Sequence, residues 1–486
     1  MRTALVLLLL LALAAVAGSL VPQVGVADAR IVAMFRDHPL RARVYEQIGL
    51  FDVYGSWWFT LVYTLLLVSL AACLLPRTRA FVRNLRIRPV PARELDSMRH
   101  YAEVAVPADP DGAIGRARRV LRRRLFRVNG PNGVPTLAAD KGLAREGGSL
   151  VFHWAFFVLL IGVVWGKGTG FSGQAMIVEG ETWTEAHANY DGTLREGRFF
   201  GEDHAGVQLR VEDFQATYRT TGQPQDFVTR AELLDADGDP VEEVEIRVNH
   251  PAELGGVKFY QFGYGWAPVI RVEQDGVPIA DGPVVCQQDV PPEDVSPLQL
   301  PWNCVVKLPT LDPQVGIRFE LWPDRRGLLA LLETGRAMPM LVQYAPVMTF
   351  EAFEGDLRAE LVQDASALDT VAMRRFETGV LGAGETADLG DGLTVTFPEL
   401  RQYTVLTVSR DRGLWIVLLA GILILLGLLP AMYTSKRKLW VAAEPRGTGA
   451  VLKVGGFALQ RRSQFEEEFD KVVSELRRSS EEKVGT

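Results

Sequence analysis

Residues 149–166 read SLVFHWAFFVLLIGVVWG, and this apolar run decides how the chain is organised. It contains no Asp, Glu, Lys or Arg, and its one ionisable side chain is that of His153. A helix needs about 20 mainly apolar residues to cross the hydrocarbon core of a bilayer. The run therefore predicts a membrane-spanning helix, with a buried helix of a soluble core as the alternative.

Three further runs of the same kind lie outward from it, at 1–21, 57–75 and 413–433. Apolar runs of this length with so few charges are rare in soluble cores, so we expect all of them to be transmembrane helices. The first run has a second interpretation. Arg2, the apolar stretch and AVA at 15–17 also resemble a cleavable secretory signal. Either interpretation places the loop 22–56 outside the cytoplasm.

The charged residues are sorted between the segments that separate these runs. Residues 76–148 carry 16 Lys and Arg against 7 Asp and Glu, and residues 434–486 carry 11 against 8. Residues 167–412 carry 20 against 40, a net charge of −20, although the whole chain has only −7. Lys and Arg favour the cytoplasmic side of a membrane. We therefore expect both termini and 76–148 in the cytoplasm, and 22–56 and 167–412 outside it.

The predicted extracytoplasmic domain, 167–412, has the pattern of a β-rich fold. Short apolar or alternating stretches separated by Gly, Pro and Asp predict strands at 207–218, 227–233, 241–248, 257–262 and 269–273. Only 325–334 has a helical pattern within this domain. Strands of this length and spacing favour a β-sandwich or an open barrel built from hairpins.

The cytoplasmic segments predict a smaller domain and a tail. In 76–148 we expect strands at 101–106 and 135–139, and between them an Arg-rich helix from Asp111 to about Phe126. Anionic lipid headgroups explain the basic face of that helix better than nucleic acid does. The tail 434–486 contains a helix at 464–483 whose apolar side is expected to dock on a neighbour or on the membrane surface.

The predicted fold class is thus an integral membrane protein. It has four transmembrane helices, a large β-rich extracytoplasmic domain and a small α+β cytoplasmic domain. This arrangement follows from the apolar runs and the charge sorting together.

His153 is the strongest candidate for chemistry within the membrane segments. It lies about 6 Å inside the start of its predicted helix, at 1.5 Å per residue. An ionisable side chain in lipid tends to face a partner, a cavity or a ligand, and neutral imidazole is a common axial ligand of haem iron. A hydrogen bond to a neighbouring helix would explain the residue equally well, so both interpretations stay open.

Glycine and cysteine positions add structural candidates. Gly162 and Gly166 form a small-xxx-small pattern that permits close helix packing, and Gly162 lies about 180° around the helix from His153. Cys286 and Cys304 fall in the predicted extracytoplasmic domain, where a disulfide can form, with two free thiols as the alternative. Cys73 fits a packing role in the second helix.

Signatures of a self-sufficient enzyme are absent from the sequence. It contains no HExxH, GxSxG, Walker loop, CxxC or helix-leading GxGxxG. His187 and His204 lie among acidic residues, namely Glu181, Glu185, Glu202 and Asp203. Acidic surface loops often produce such groups by chance, so we expect no metal site there, with a weak metal site as the alternative.

Short motifs lie at the ends of the apolar runs and in the predicted β domain. They are GSLVPQ at 18–23, SWWF at 56–59, CLLPR at 73–77, GGSLVFH at 147–153, VNHP at 248–251 and FYQFGYGW at 259–266. Together these motifs resemble those of the ResB family, which contains the CcsB-type components of system II cytochrome c maturation. Each motif is short, but together they cover most of the chain, and their order and spacing match those of the family.

This resemblance implies a haem-handling membrane subunit in a bacterial plasma membrane. ResB-like proteins work with a CcsA/ResC-type partner, which carries a WWD motif, to export haem b and attach it to CXXCH motifs of apocytochrome c. The family's histidine in the third membrane helix matches His153, which would be one axial haem ligand. The chain would then be a non-catalytic or co-catalytic subunit.

One departure from the family pattern concerns the segment after the last helix. Related chains often carry a histidine before a tryptophan there, whereas this chain reads SKRKLW at 435–440. These basic residues are therefore assigned to topology alone. The alternative function is a membrane-anchored scaffold that binds an exported protein without contacting haem.

Overall fold

The computed structural model describes residues 2–25, 27–90, 94–130, 134–201, 204–219, 223–289, 295–340, 342–358 and 367–481. Their helices are α1 (Arg2–Leu20), α2 (Asp28–Asp37), α3 (Pro39–Gln47), α4 (Trp57–Arg86), α5 (Pro110–Arg123), α6 (Leu143–Thr169), α7 (Arg325–Thr334), α8 (Leu414–Tyr433) and α9 (Arg462–Glu481). The chain divides into two compact units. One is Val164–Leu414, called here the large β unit, and the other contains the remaining residues.

The strands follow the same chain order. They are β1 (His100–Val106), β2 (Arg127–Asn129), β3 (Thr136–Lys141), β4 (Phe171–Val178), β5 (Thr182–Thr184), β6 (Asp191–Glu196), β7 (Gln208–Tyr218), β8 (Pro224–Leu234), β9 (Pro240–Arg247), β10 (Ala252–Leu254), β11 (Val257–Gln274), β12 (Val277–Pro283), β13 (Trp302–Leu308), β14 (Val315–Trp322), β15 (Val347–Gly355), β16 (Met373–Gly382), β17 (Glu385–Gly390), β18 (Leu393–Phe397), β19 (Leu400–Arg410), β20 (Arg437–Arg446) and β21 (Gly449–Ala458). Every strand from β4 to β19 lies in the large β unit.

Four helices, α1, α4, α6 and α8, are long and apolar enough to cross a membrane. This confirms the predicted set of apolar helices, and the β-rich character of the large unit is confirmed as well. Two of the helices are longer than predicted. The helix α4 continues through Pro76 to Arg86, and α6 begins at Leu143, directly after Gly142 with a φ of +99°. Both extensions lie outside the apolar runs, so hydropathy alone could not reveal them.

The loop between α1 and α4 is a folded element. The Gln23 side chain donates a hydrogen bond to the carbonyl of Leu50 at 2.9 Å and accepts one from the Val53 amide at 3.1 Å. Ser56 caps the start of α4 by accepting a hydrogen bond from the Phe59 amide. These contacts give a structural reason for the conspicuous residues in GSLVPQ and SWWF.

The tail after α8 completes a sheet with the segment before α6. In the five-stranded order β1-β21-β20-β3-β2, the tail strands β20 and β21 are central. Val104 pairs with Leu452, and Leu439 pairs with Ala139. The tail was expected to be separate from 76–148, whereas strands from both segments form one domain. We call it the small α+β domain.

The helices α5 and α9 cover one face of that sheet. The predicted apolar side of the tail helix is buried in this core, with Phe465, Phe469, Val472, Val473 and Leu476. It packs inside its own chain, so the docking predicted for it on a neighbour or on the membrane surface was wrong. Residues 482–483 of the predicted helix lie outside the described residues. On α5, the buried face is Ala113, Ile114, Ala117 and Leu121, so the core contacts are made by the small and apolar residues between the arginines.

The start of α5 also differs from the prediction. Asp109 occupies the N-cap position and Pro110 is the first helical residue, so the expected cap at Asp111 was wrong. Proline suits the first position because its fixed φ is already helical and its missing N–H needs no partner there. The helix ends at Arg123, shortly before Leu125 with a φ of +62°.

One long strand organises the large β unit. The strand β11 pairs with β19, β18, β12 and β10, whereas the sequence predicted two separate strands at 257–262 and 269–273. A bulge between Gln261 and Gly263 interrupts the ladder with β19 without ending the strand. At the bulge, the side-chain Nε2 of Gln261 donates a hydrogen bond to the Gly263 carbonyl at 2.8 Å. The side-chain Oε1 of Gln261 accepts one from the Thr229 hydroxyl of β8 at 2.6 Å. Gln261 thus links two sheets.

Replacing Phe465 tests whether the tail belongs to the small α+β domain. Its side chain is 0% exposed, whereas that of Phe457 on β21 is 50% exposed. We expect Phe465→Ala to lower the free energy of unfolding by about 3–5 kcal/mol through the cavity it leaves. Thermal unfolding of the purified chain in detergent would measure this, with Phe457→Ala as the control. Equal effects of the two substitutions would contradict the assignment.

Candidate functional site

His153 lies half-buried on α6, and its ring is fixed by its own helix. The Nδ1 atom donates a hydrogen bond to the Ser149 carbonyl, one turn earlier, at 2.6 Å. With the proton on Nδ1, the lone pair of a neutral imidazole is on Nε2. Among the described residues, no hydrogen-bond partner lies within reach of Nε2. The nitrogen left open is one that can ligate a metal.

The direction of His153 is set by its two neighbours in the chain. The backbone nitrogen of Phe152 lies against Gly427 of α8. On the other flank, Trp154 Nε1 donates a hydrogen bond to Thr78 Oγ1 of α4 at 3.1 Å. Successive residues point about 100° apart around a helix. Contacts on both flanks therefore stop α6 from rotating, and the His153 side chain is directed between them.

Glycines allow α6 and α8 to touch backbone to backbone. A Cβ atom at Gly148 would lie 2.6 Å from the Gly427 carbonyl oxygen, and one at Gly427 would lie 2.5 Å from the Phe152 nitrogen. Further along, a Cβ atom at Gly162 would lie 2.9 Å from the Val417 nitrogen. Small residues permit such approaches in membrane helices. Gly162 thus packs on α8 of the same chain, on the side of α6 opposite His153.

The other half of the small-xxx-small pattern behaves differently. Gly166 faces the carboxylate of Asp411, in the turn that precedes α8, rather than another helix. That carboxylate also accepts a hydrogen bond from the Gly413 amide at 2.8 Å. Gly148 and Gly427 also bring the α6 and α8 backbones together. In the sequence, Gly148 stood out only as part of GGSLVFH, and Gly427 was an unremarked glycine of the last apolar run.

A cation-lined cavity of about 310 Å³ opens beside the start of α6. Its lining includes Ser149, whose carbonyl holds His153, and the cationic side chains of Arg77, Arg145 and Lys436. Lys436 pairs with Glu146 at 3.0 Å. Arg77 has no hydrogen-bond or ion-pair partner within the described residues. The arrangement suits a ligand that carries carboxylates.

Cys286 and Cys304 are joined by a disulfide, and both are fully buried. They lie in a core cluster with strands β13–β15 and part of β11. The Tyr403 hydroxyl donates a hydrogen bond to the Cys286 carbonyl at 2.8 Å. The disulfide is therefore a structural crosslink in the packed interior of this unit. Cys73, by contrast, is exposed on α4.

A group of histidines and carboxylates lies in the large β unit. Glu196 Oε1 accepts a hydrogen bond from His187 Nδ1 at 2.8 Å and lies 3.0 Å from His204 Nε2. His204 Nδ1 in turn donates to the buried carboxylate of Glu185. Burial lowers the pKa of His204, but its hydrogen bonds to Glu185 and Glu196 outweigh that effect and raise the pKa above its usual value.

This group differs from the one that the sequence suggested. Glu196, at the end of β6, was not among the acidic residues considered, because no motif connects it to the histidines. Glu202 and Asp203, which were considered, lie outside the described residues. The hydrogen bond from His187, and then that from His204, lower the pKa of Glu196. It is therefore ionised at neutral pH.

Comparisons with known proteins agree with the resemblance noted in the motifs. The model of the ResB-like family matches residues 1–470. The chain belongs to the ResB-like family. Its similarity therefore extends through all four apolar helices and the large β unit into the first half of α9.

Several relatives are named "Cytochrome c biogenesis protein CcsB". The protein from Trichormus variabilis (strain ATCC 29413 / PCC 7937) is 30% identical over 292 residues, covering 58% of this chain and 60% of the relative. The protein from Synechococcus sp. (strain JA-2-3B'a(2-13)) is 28% identical over 487 residues, covering 98% of this chain and 90% of the relative. That from Synechococcus sp. (strain JA-3-3Ab) is 28% identical over 493 residues, with coverages of 99% and 89%.

The glycine contact that orients His153 can be tested on α8. We expect Gly427→Ala to destabilise the protein by about 1–3 kcal/mol, because its methyl group would collide with the α6 backbone. Gly421 on the same helix has open space and provides the matched control. Gly421→Ala should be neutral or slightly stabilising, as alanine favours helix. Thermal unfolding in detergent measures both, and an unchanged midpoint in Gly427→Ala would contradict the contact.

Proposed function

We propose that this protein is a haem-handling membrane subunit of a system II cytochrome c synthase complex. Its relatives carry the name of a cytochrome c biogenesis protein, which supports a role in that process. In this role the chain helps to export haem b and to present it for attachment to apocytochrome c. The observation that carries the proposal is the open Nε2 atom of His153.

His153 is suited to be one axial ligand of the haem iron. Its Nδ1 proton is held by the Ser149 carbonyl, so the tautomer with a free Nε2 lone pair is favoured before any haem arrives. The cavity next to Ser149 offers Arg77, Arg145 and Lys436. These cations complement the two propionate carboxylates of haem. Iron ligation and carboxylate binding would then use neighbouring parts of one surface.

A second protein is needed to complete the haem site. Among the described residues, no other histidine lies on the apolar helices α1, α4, α6 and α8. The second axial ligand would therefore come from a CcsA/ResC-type partner with a WWD motif. Attachment adds the S–H bonds of the apocytochrome's two reduced cysteines across the two vinyl groups of haem. The present chain would position haem for that step as a non-catalytic or co-catalytic subunit.

The small α+β domain supports the proposed topology. Strands from 76–148 and from the tail pair within one sheet, which supports placing both segments on the same side of a membrane. The excess of Lys and Arg in both segments favours the cytoplasmic side of a bacterial plasma membrane. Both termini would then be cytoplasmic, with 22–56 and the acidic 167–412 outside.

Haem ligation is tested by spectroscopy of the protein purified with its partner. We expect the Soret band to be lost in His153→Ala and restored when imidazole is added, because free imidazole can occupy the vacated position. His250→Ala is the matched control, since His250 is exposed in the large β unit and distant in sequence from the helices. A wild-type complex that matures cytochrome c without ever binding haem would refute the ligand role and favour the scaffold alternative.

Topology is tested independently by reporter fusions. Alkaline phosphatase, which folds only outside the cytoplasm, should be active when fused within the 167–412 segment and inactive when fused after residue 481. A reporter that is fluorescent only in the cytoplasm should give the reverse result. Activity of both reporters at the same position would contradict a single orientation. This test does not depend on haem binding.

A further inference from the structure

Three side chains of the large β unit converge from separate segments. His187 follows β5, Glu196 ends β6, and His204 lies in the connection to β7. Each residue offers one ligand atom, and the three atoms lie within 4.8 Å of one another. They are His187 Nδ1, a Glu196 carboxylate oxygen and His204 Nε2. Glu196 Oε1 is 2.8 Å from the first nitrogen and 3.0 Å from the second. Two imidazoles thus point at one carboxylate oxygen.

These spacings are close to those of a metal centre. Zinc binds histidine nitrogen and carboxylate oxygen at about 2.0–2.2 Å in tetrahedral sites. Neighbouring ligand atoms in such a site are then about 3.3 Å apart by simple geometry. A few tenths of an ångström of outward movement would open a position for an ion between Glu196 and the two rings. His187, with 70% of its side chain exposed, has room to make that movement.

His204 is held in the orientation that a metal ligand requires. Its Nδ1 donates to Glu185, whose side chain is fully buried, so Nε2 is directed at Glu196. The Glu185 carboxylate is itself fixed by the Tyr190 hydroxyl at 2.9 Å and by the Ala205 amide at 2.6 Å. Histidines that bind metals commonly donate their second ring N–H to a carboxylate in this manner.

Aromatic packing restricts the same ring further. The imidazole of His204 packs against both Phe171 and Phe200, with ring centroids at 5.3 and 5.1 Å, and these two phenyl rings also contact each other at 5.3 Å. The ring therefore has little freedom to turn away from Glu196. A salt bridge between two surface charges requires neither a fixed imidazole nor a buried carboxylate behind it. His204 has both.

We propose that His187, Glu196 and His204 bind a divalent transition-metal ion of the zinc class, with Glu185 as a positioning residue. Imidazole ligands select such ions over Mg²⁺ and Ca²⁺, which prefer all-oxygen sites. Binding replaces the proton that each ligating nitrogen shares with Glu196: His204 Nε2 releases its proton to solvent, and His187 gives up its Nδ1 proton and carries its remaining one on Nε2. Three protein ligands leave a further coordination position for water. The site lies in the large β unit and is independent of His153 and of the proposed haem chemistry.

The test is zinc binding by the full-length chain in detergent, after treatment with a chelator. We expect calorimetry to give one Zn²⁺ per chain and no comparable binding of Ca²⁺. His187→Ala and Glu196→Gln should each weaken zinc binding at least about 10-fold. Because His187 is largely exposed, its replacement should leave the metal-free unfolding temperature unchanged. His250→Ala, an exposed histidine of the same unit, is the matched control and should bind as the wild type does.

A second readout separates a ligand from a merely structural residue. Co²⁺ bound in place of zinc should give the visible absorption of a four-coordinate site in the wild type. That band should be absent in His187→Ala and should shift or weaken in Glu185→Gln, in which His204 loses its anionic partner. Unchanged zinc affinity in both His187→Ala and Glu196→Gln would overturn the proposal. So would a wild-type protein that binds zinc no more tightly than it binds Ca²⁺, and the cluster would then be a salt bridge alone.

Discussion

The backbone contact between α6 and α8 is the constraint on which the rest of the structure depends. Gly148 and Gly427 leave no space for a side chain where these helices meet. The two helices also connect paired strands at both ends, because β3 precedes α6 and pairs with β20 after α8. At their other ends, β4 follows α6 and pairs with β19 before α8. Each unit thus contains an antiparallel strand pair whose strands are the chain neighbours of α6 and α8.

The orientation of His153 results from the packing of α6 against its neighbouring helices. The glycine face of α6 packs against α8, and Trp154 forms a hydrogen bond with α4. The imidazole is left between these contacts, with one nitrogen occupied by its own helix and the other open. A ligand that approached this side of α6 would therefore meet an Nε2 atom without a hydrogen-bond partner among the described residues.

The sequence predicted what depends on local composition and missed what depends on distant pairing. Apolar runs located the four helices that are long and apolar enough to cross a membrane, because about 20 consecutive apolar residues suffice to predict such a helix. Phe465, Phe469 and Leu476 were recognised as one apolar face, but β20 and β21, against which they pack, were not recognised as strands. Glu196 was missed for a related reason. Only the pairing of β6 with β4 brings it near the histidines, and no short motif records that pairing.

The central place of β20 and β21 in the small α+β domain has a consequence for how the protein is made. Within the described residues, β1 has only β21 as a strand partner, and β21 is synthesised after the last apolar helix. A chain whose final helix inserted the wrong way round would leave β1 and β3 with unpaired edges, which invite aggregation and proteolysis. Under the proposed topology, the sheet can close only when α8 has inserted in the orientation that returns β20 and β21 to the side of β1 and β3. Closure of the sheet would then act as a check on the insertion of that helix.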